Sequence, residues 1–119
     1  AIFDAIVKKN IAAYHAGDVE TASEMYDLQA VIVDRKSNTS WFGTNQHKKM
    51  IAEYIAMGKA EFAMSRKELY DAGGDRFLAS SDFESKFVDS GVVLKGSSIQ
   101  LYHKVGDQWK CVYEAFELH

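Results

Sequence analysis

From Ala60 to the last residues the apolar side chains recur at every second position, and the run is broken only at Asp71-Ala72-Gly73-Gly74-Asp75, Asp89-Ser90-Gly91 and Gly106-Asp107. A period of two sends alternate side chains to opposite faces of a strand, and Gly/Asp clusters are the turn chemistry that reverses one. The C-terminal half is therefore predicted to be a four-stranded antiparallel meander. A sheet with one apolar face needs a cover, so the first half of the chain has to supply it.

That half reads mostly as helix. Ile2, Phe3, Ile6, Val7, Asn10, Ile11 and Tyr14 follow helical spacing up to a stop at Gly17, and Asp18 is placed to cap a second short helix reaching about Tyr26. The stretch "AVIVDR", Ala30 to Arg35, reads as a strand, followed by a polar turn over Lys36 to Ser40. Trp41-Phe42-Gly43 leads out of the turn, and Thr44 is expected to cap a helix that ends at Gly58 with Met50, Ile51, Tyr54 and Ile55 as its apolar stripe. The order predicts an α+β fold, N-terminal helices packed on a curved, mostly antiparallel sheet, as a single domain over residues 1–119. Gly96, inside a strand pattern, is expected at a bend or bulge.

Composition narrows the function classes. A formal net charge of −3 with interspersed signs, and no basic run longer than Lys48-Lys49, argues against a nucleic-acid partner. No apolar stretch approaches the length of a membrane span, and Asp4 interrupts the N-terminal apolar run, so neither a membrane nor an export signal is indicated. One cysteine, Cys111, excludes an intrachain disulfide and fits a reducing compartment, with the cytoplasm as the default location. No spacing suggests a metal site or another cofactor, and Gly73-Gly74 joins two strands where a phosphate loop would open a helix. His15, His47 and His119 sit near element ends and are expected to be largely solvated, and a Cys111–His103 pair would straddle the sheet.

The last hairpin can be put in register from its turn. A two-residue Gly106-Asp107 loop pairs Val105 with Gln108, and counting back sets Lys104 opposite Trp109, Tyr102 opposite Cys111 and Gln100 opposite Tyr113, all on one face. Val105, Ile99, Leu101, His103, Val112, Phe116 and Leu118 then fall on the other, with Lys110 and Glu114 among them, a surface suited to a dimer contact. Phe77, Phe83 and Phe87 join the Gln100 face if the Ser90-Gly91 loop has two residues, whereas a three-residue loop would send them to the other.

Three polar residues stand on apolar faces. Asn10 either bonds a backbone group at the helix–sheet junction or donates into a pocket, and Gln100 carries the same two readings. Asp34 either caps the Lys36-Ser37-Asn38 turn as a strand-end carboxylate or, desolvated among aromatic rings, acts as a general base. The expected pocket lining is Asn10, Tyr14, Trp41, Tyr54, Phe83, Gln100 and Tyr113, with Asp34 as the catalytic candidate.

The helix-one ending "IAAYHAGD", the strand "AVIVDR", the helix "FGTNQHKKMIAEYI" and the terminal "DQWKCVYEAF", taken in this order, resemble the nuclear transport factor 2-like superfamily over nearly the whole chain. The closest likeness is to its SnoaL-like and ketosteroid-isomerase-like branches, including small stand-alone members of no assigned function. The resemblance implies a cystatin-like cone, an apolar pocket and a homodimer formed through the sheet. It also implies Asp34 at the position of the isomerases' general base, with Asn10 and Gln100 where that family has its oxyanion donors. Amides are weaker acids than a phenol or a carboxylic acid, which counts against a steroid isomerase. Two readings follow: a cofactor-free isomerase, lyase or hydrolase acting on a small apolar molecule, or a non-catalytic dimeric binding or association module.

Overall fold

The computed structural model describes residues 2–119. The chain runs α1 (Ile2–His15), α2 (Val19–Ser23), β1 (Tyr26–Asp34), β2 (Thr39–Phe42), α3 (Thr44–Ala56), β3 (Ala60–Asp71), β4 (Arg76–Phe87), β5 (Val93–Val105) and β6 (Gln108–Leu118). Six strands form one sheet in the order β2-β1-β6-β5-β4-β3, antiparallel throughout except for the β1–β6 pair. The helices cover one face: Phe3 of α1 meets Phe77 and Tyr102 edge-on, and Tyr54 of α3 packs on Phe87. This is the α+β arrangement expected from the periodicity. Among the described residues no helix is long and apolar enough to cross a membrane.

Local chemistry accounts for most boundaries. Gly17, at φ 68°, ends α1 in a left-handed conformation that costs glycine little. The Asp18 side chain accepts from the Thr21 N–H, as an N-cap does. The second helix is shorter than the spacing predicts, however, and Tyr26 already belongs to β1. Gly43, not Thr44, caps α3 and its side-chain-free end is served by Gln46, whose Oε1 accepts from the Phe42 N–H. Thr39 to Phe42, expected as turn and exit, pairs with Val31 to Asp34 as an edge strand.

The last hairpin departs from the expected register at one place. Val105–Gln108, Lys104–Trp109 and Tyr102–Cys111 pair as the turn geometry requires, but Leu101 lies opposite Tyr113 and Gln100 opposite Glu114. Val112 is the extra residue, a β-bulge that exchanges faces for everything beyond it. Glu114, Phe116 and Leu118 turn to the helix side, while Tyr113 turns outward with 42% of its surface exposed. Tyr113 is therefore not a neighbour of Gln100, and Phe116 is not part of the outer face: it stacks on Trp41 at 6.3 Å. Phe77, Phe83 and Phe87 do share the Gln100 side, since the longer connection after β4 shifts the pairing by two residues and keeps its parity.

Gly96 marks a close approach. A Cβ there would stand 2.5 Å from the Glu117 carbonyl oxygen and 3.0 Å from the Phe83 ring, so only glycine lets Phe83 lie flat against its partner strand.

Candidate functional site

The space between the helices and the sheet is filled mainly by rings and branched side chains. Phe3, Phe87, Tyr102, Ile32 and Ile51 are all at or below 1% exposure. Tyr14 meets Tyr54 edge-on at 5.1 Å, and the Tyr54 hydroxyl donates to Ser85 Oγ at 2.7 Å, which ties α1 and α3 to β4. Trp41 packs from β2, and Phe83 stacks on Phe62 at 6.1 Å near the β3 edge. These four expected lining residues are dispersed through the packing, in contact with other side chains of the chain.

One polar cluster interrupts this core. Glu114, 9% exposed, accepts from the Tyr26 hydroxyl at 2.8 Å and from Gln100 Nε2 at 2.6 Å, both at Oε1, and the Tyr102 hydroxyl donates to Gln100 Oε1 at 2.8 Å. Burial pushes the Glu114 carboxyl above the usual carboxylate range, partly opposed by the hydrogen bonds from Gln100 and Tyr26. Burial first, and then the nearby Glu114 carboxylate, raise the phenols of Tyr14, Tyr26 and Tyr102, although for Tyr102 the Cys111 thiol contributes ahead of Glu114. Glu114 Oε2 makes no hydrogen bond among the described residues. The arrangement is a carboxyl that can hold a proton beside three phenols.

Glu114 was not among the residues singled out from the sequence. The bulge at Val112 is what brings it to Gln100, and the only trace of it in the sequence is an acidic residue set between Tyr113 and Ala115. Gln100 is thus part of the cluster, whereas Asn10 is not: its Nδ2 faces Met25 Sδ at 2.8 Å and the Ala22 carbonyl at 3.5 Å, between α1 and α2. His47, expected in solvent, is 1% exposed and its Nε2–H donates to the Ala30 carbonyl at 2.6 Å, with the ring 5.2 Å from Tyr26. It anchors α3 over β1 from beside the cluster.

Asp34 lies on the same side of the sheet as Glu114, one row further along, because Ile32 pairs with Glu114 and Asp34 with Phe116. Its Oδ1 accepts from the Lys36 N–H at 3.1 Å and the Ser37 N–H at 3.4 Å, so the half-buried carboxylate closes the β1–β2 turn. Replacing Asp34 by Ala is expected to cost about 1 kcal/mol in urea unfolding, and Asn, which keeps the acceptor oxygen, less than half of that. Equal losses for Ala and Asn would show that the negative charge, not the turn, is what the position needs. Among the described residues no three His, Cys, Asp or Glu side chains converge to hold a metal ion.

The outer face of the sheet carries a second feature. Tyr70, Leu78, Leu101, Tyr113, Val31 and Phe42 are successive pairing partners, one from each strand, and make an apolar row across the whole sheet. Tyr70, Tyr113 and Phe42 are exposed, at 49%, 42% and 57%. Ile99 and Val33, flanking Ala115, extend the row on one side.

No family model matches the chain, and no curated protein matches it. Solved structures do. A putative calcium/calmodulin dependent protein kinase II association domain from Xanthomonas campestris superposes with a TM-score of 0.87 at 13% identity, over 98% of this chain and 85% of that one. An NTF2-like protein of unknown function from Pseudomonas putida KT2440 gives 0.81 at 17% identity, over 97% and 82%. A ketosteroid isomerase-like protein from Erwinia carotovora atroseptica SCRI1043 gives 0.73 at 15%, over 98% and 93%. Further matches are described as cystatin-like folds. At these identities the likeness is one of fold: the chain has the nuclear transport factor 2-like, cystatin-like cone.

Proposed function

We propose that this chain, a nuclear transport factor 2-like cone with an apolar outer sheet, is a homodimeric association module that pairs through that sheet. The observation that carries the reading is the six-residue row from Tyr70 to Phe42, which leaves three large aromatic side chains in water in the isolated chain. Surface hydrophobics are ordinarily scattered, and a contiguous band of this kind marks a contact surface. A two-fold pairing would set the row against its own copy. The likeness in fold to the Xanthomonas campestris protein, a putative association domain, points the same way. Sedimentation velocity tests the reading directly: a dimer is expected at micromolar concentration, and a monomer would remove it. Cys111, buried and unpaired, fits the cytoplasm as the place of work.

A second reading rests on the Glu114 cluster. A buried carboxyl with one oxygen that makes no hydrogen bond among the described residues is the kind of group that binds or protonates the polar end of a small apolar molecule in the cone. In this reading Glu114, with Gln100 and Tyr26, takes the acid–base role, and Asp34 stands at the rim. The test is the Glu114 carboxyl shift followed by NMR with and without 4-methylcyclohexanone. A perturbed titration supports a usable interior, and an unchanged one makes the cluster a structural network.

A further inference from the structure

We propose that the cleft between α1 and β3 binds an amphipathic monocarboxylate, its apolar tail lying along Val7, Ile11, Phe62 and Met64 and its carboxylate meeting Lys8. The cleft has a volume of about 380 Å³, within the range of small-ligand sites. It is independent of both the outer sheet row and the Glu114 cluster, sharing no lining residue with either.

Two ties hold its walls. At one end Lys67 of β3 pairs with Asp4 of α1, and at the other His15 Nε2–H donates to the Ala60 carbonyl at 2.9 Å. The helix between Asp4 and His15 spans about 16 Å at 1.5 Å per residue, so the ties fix a slot of medium-chain length. The floor between them is apolar: Val7 and Met64 also pack against the core, and Phe62 is backed by Phe83. A slot whose walls are already held loses little freedom when it is filled.

The charges at the rim select the ligand head. Asp4, Lys8 and Lys67 line the cleft, and Asp4 with Lys67 form a neutral pair. Lys8 makes no ion pair or hydrogen bond among the described residues, which leaves one positive charge beside an apolar slot. A tail alone would gain from the floor but not from Lys8. A multiply charged anion would leave charge uncompensated next to Asp4. One carboxylate on an apolar tail satisfies both walls, and a flexible ammonium can reach it as a point charge.

Octanoate and its uncharged counterpart 1-octanol are the probes, followed on the whole chain by calorimetry and by the methyl resonances of Val7, Ile11 and Met64. Octanoate is expected to bind and shift these methyls. Lys8→Met should weaken octanoate about tenfold, the scale of one charge-assisted hydrogen bond, and Lys8→Arg should keep most of the affinity. The affinity of 1-octanol should be the same in wild type and Lys8→Met. Because Lys8 is exposed, neither variant endangers folding. The proposal is overturned if octanoate leaves these methyls unmoved, if Lys8→Met binds octanoate as the wild type does, or if octanol and octanoate lose affinity together.

Discussion

Leu101→Asp is expected to convert the protein from a dimer to a folded monomer. Leu101 stands in the middle of the outer row, between Leu78 of β4 and Tyr113 of β6, so any pairing of two sheets through this row must bury it. A carboxylate there would be desolvated without a partner, and a two-fold contact would suffer it from both subunits. The loss should be about 3 kcal/mol or more, a hundredfold or greater weakening, which sedimentation reads as a shift to monomer. The side chain points away from the helices, so the circular dichroism and the urea midpoint of the monomer should stay close to those of the wild type. Val92→Asp is the control, because Val92 is 44% exposed in the β4–β5 connection and lies outside the row. A Leu101→Asp protein that remains dimeric, or a wild type that never dimerises, would sink the association reading.

The same row shows where sequence reasoning succeeds and where it stops. Strand existence, the four-strand meander and the Gly106-Asp107 register were legible because they depend on local chemistry, namely side-chain period and turn residues. The bulge at Val112 was not, because an extra residue in one strand changes no local pattern: "KCVYEAF" alternates plausibly in either phase. That single residue decides the contents of both faces. It removes Tyr113 from the expected pocket and gives it to the outer row, and it brings Phe116 and Glu114 inside. The start of β1 is illegible in the sequence for a similar reason. Tyr26 continues the helical stripe of Val19 and Ala22, but its hydroxyl reaches Glu114, 88 residues away, and that long-range bond has no signature in the local sequence. His47 likewise looked solvated in the first turn of a helix, until the β1 carbonyl of Ala30 supplied an acceptor beneath it. Asn10 and Asp34 had two readings each, and the structure supplies for both the backbone partners that the plainer reading requires.

Glu114 should show the largest effect on stability, and the pair of substitutions Glu114→Ala and Glu114→Gln separates its two contributions. Its Oε1 is the common acceptor of the Tyr26 hydroxyl and Gln100 Nε2, so removing the side chain strands one buried and one half-buried donor. At about 1–3 kcal/mol for each stranded group, partly relieved by rearrangement, Glu114→Ala should lose about 2–4 kcal/mol in urea unfolding. Glutamine keeps the acceptor for both donors and removes the buried charge, so near neutral pH Glu114→Gln should stay within about 1 kcal/mol of the wild type. The pH dependence distinguishes charge from hydrogen bonding. Burial raises the native carboxyl above the unfolded value of 4.5, so between those two values the native state binds more protons than the unfolded chain. The contribution is fully present below the unfolded value and is lost as the pH rises through the native one. Wild-type stability should therefore carry a downward step across that window, superimposed on the opposite trend from Asp4, Asp18, Glu68 and Asp82, whose lowered carboxyls lose stability in acid. Glu114→Gln should erase the downward step and leave the acid limb in place. If the step survives in Glu114→Gln, some other group holds the proton, and the interior cluster loses its claim to acid–base chemistry.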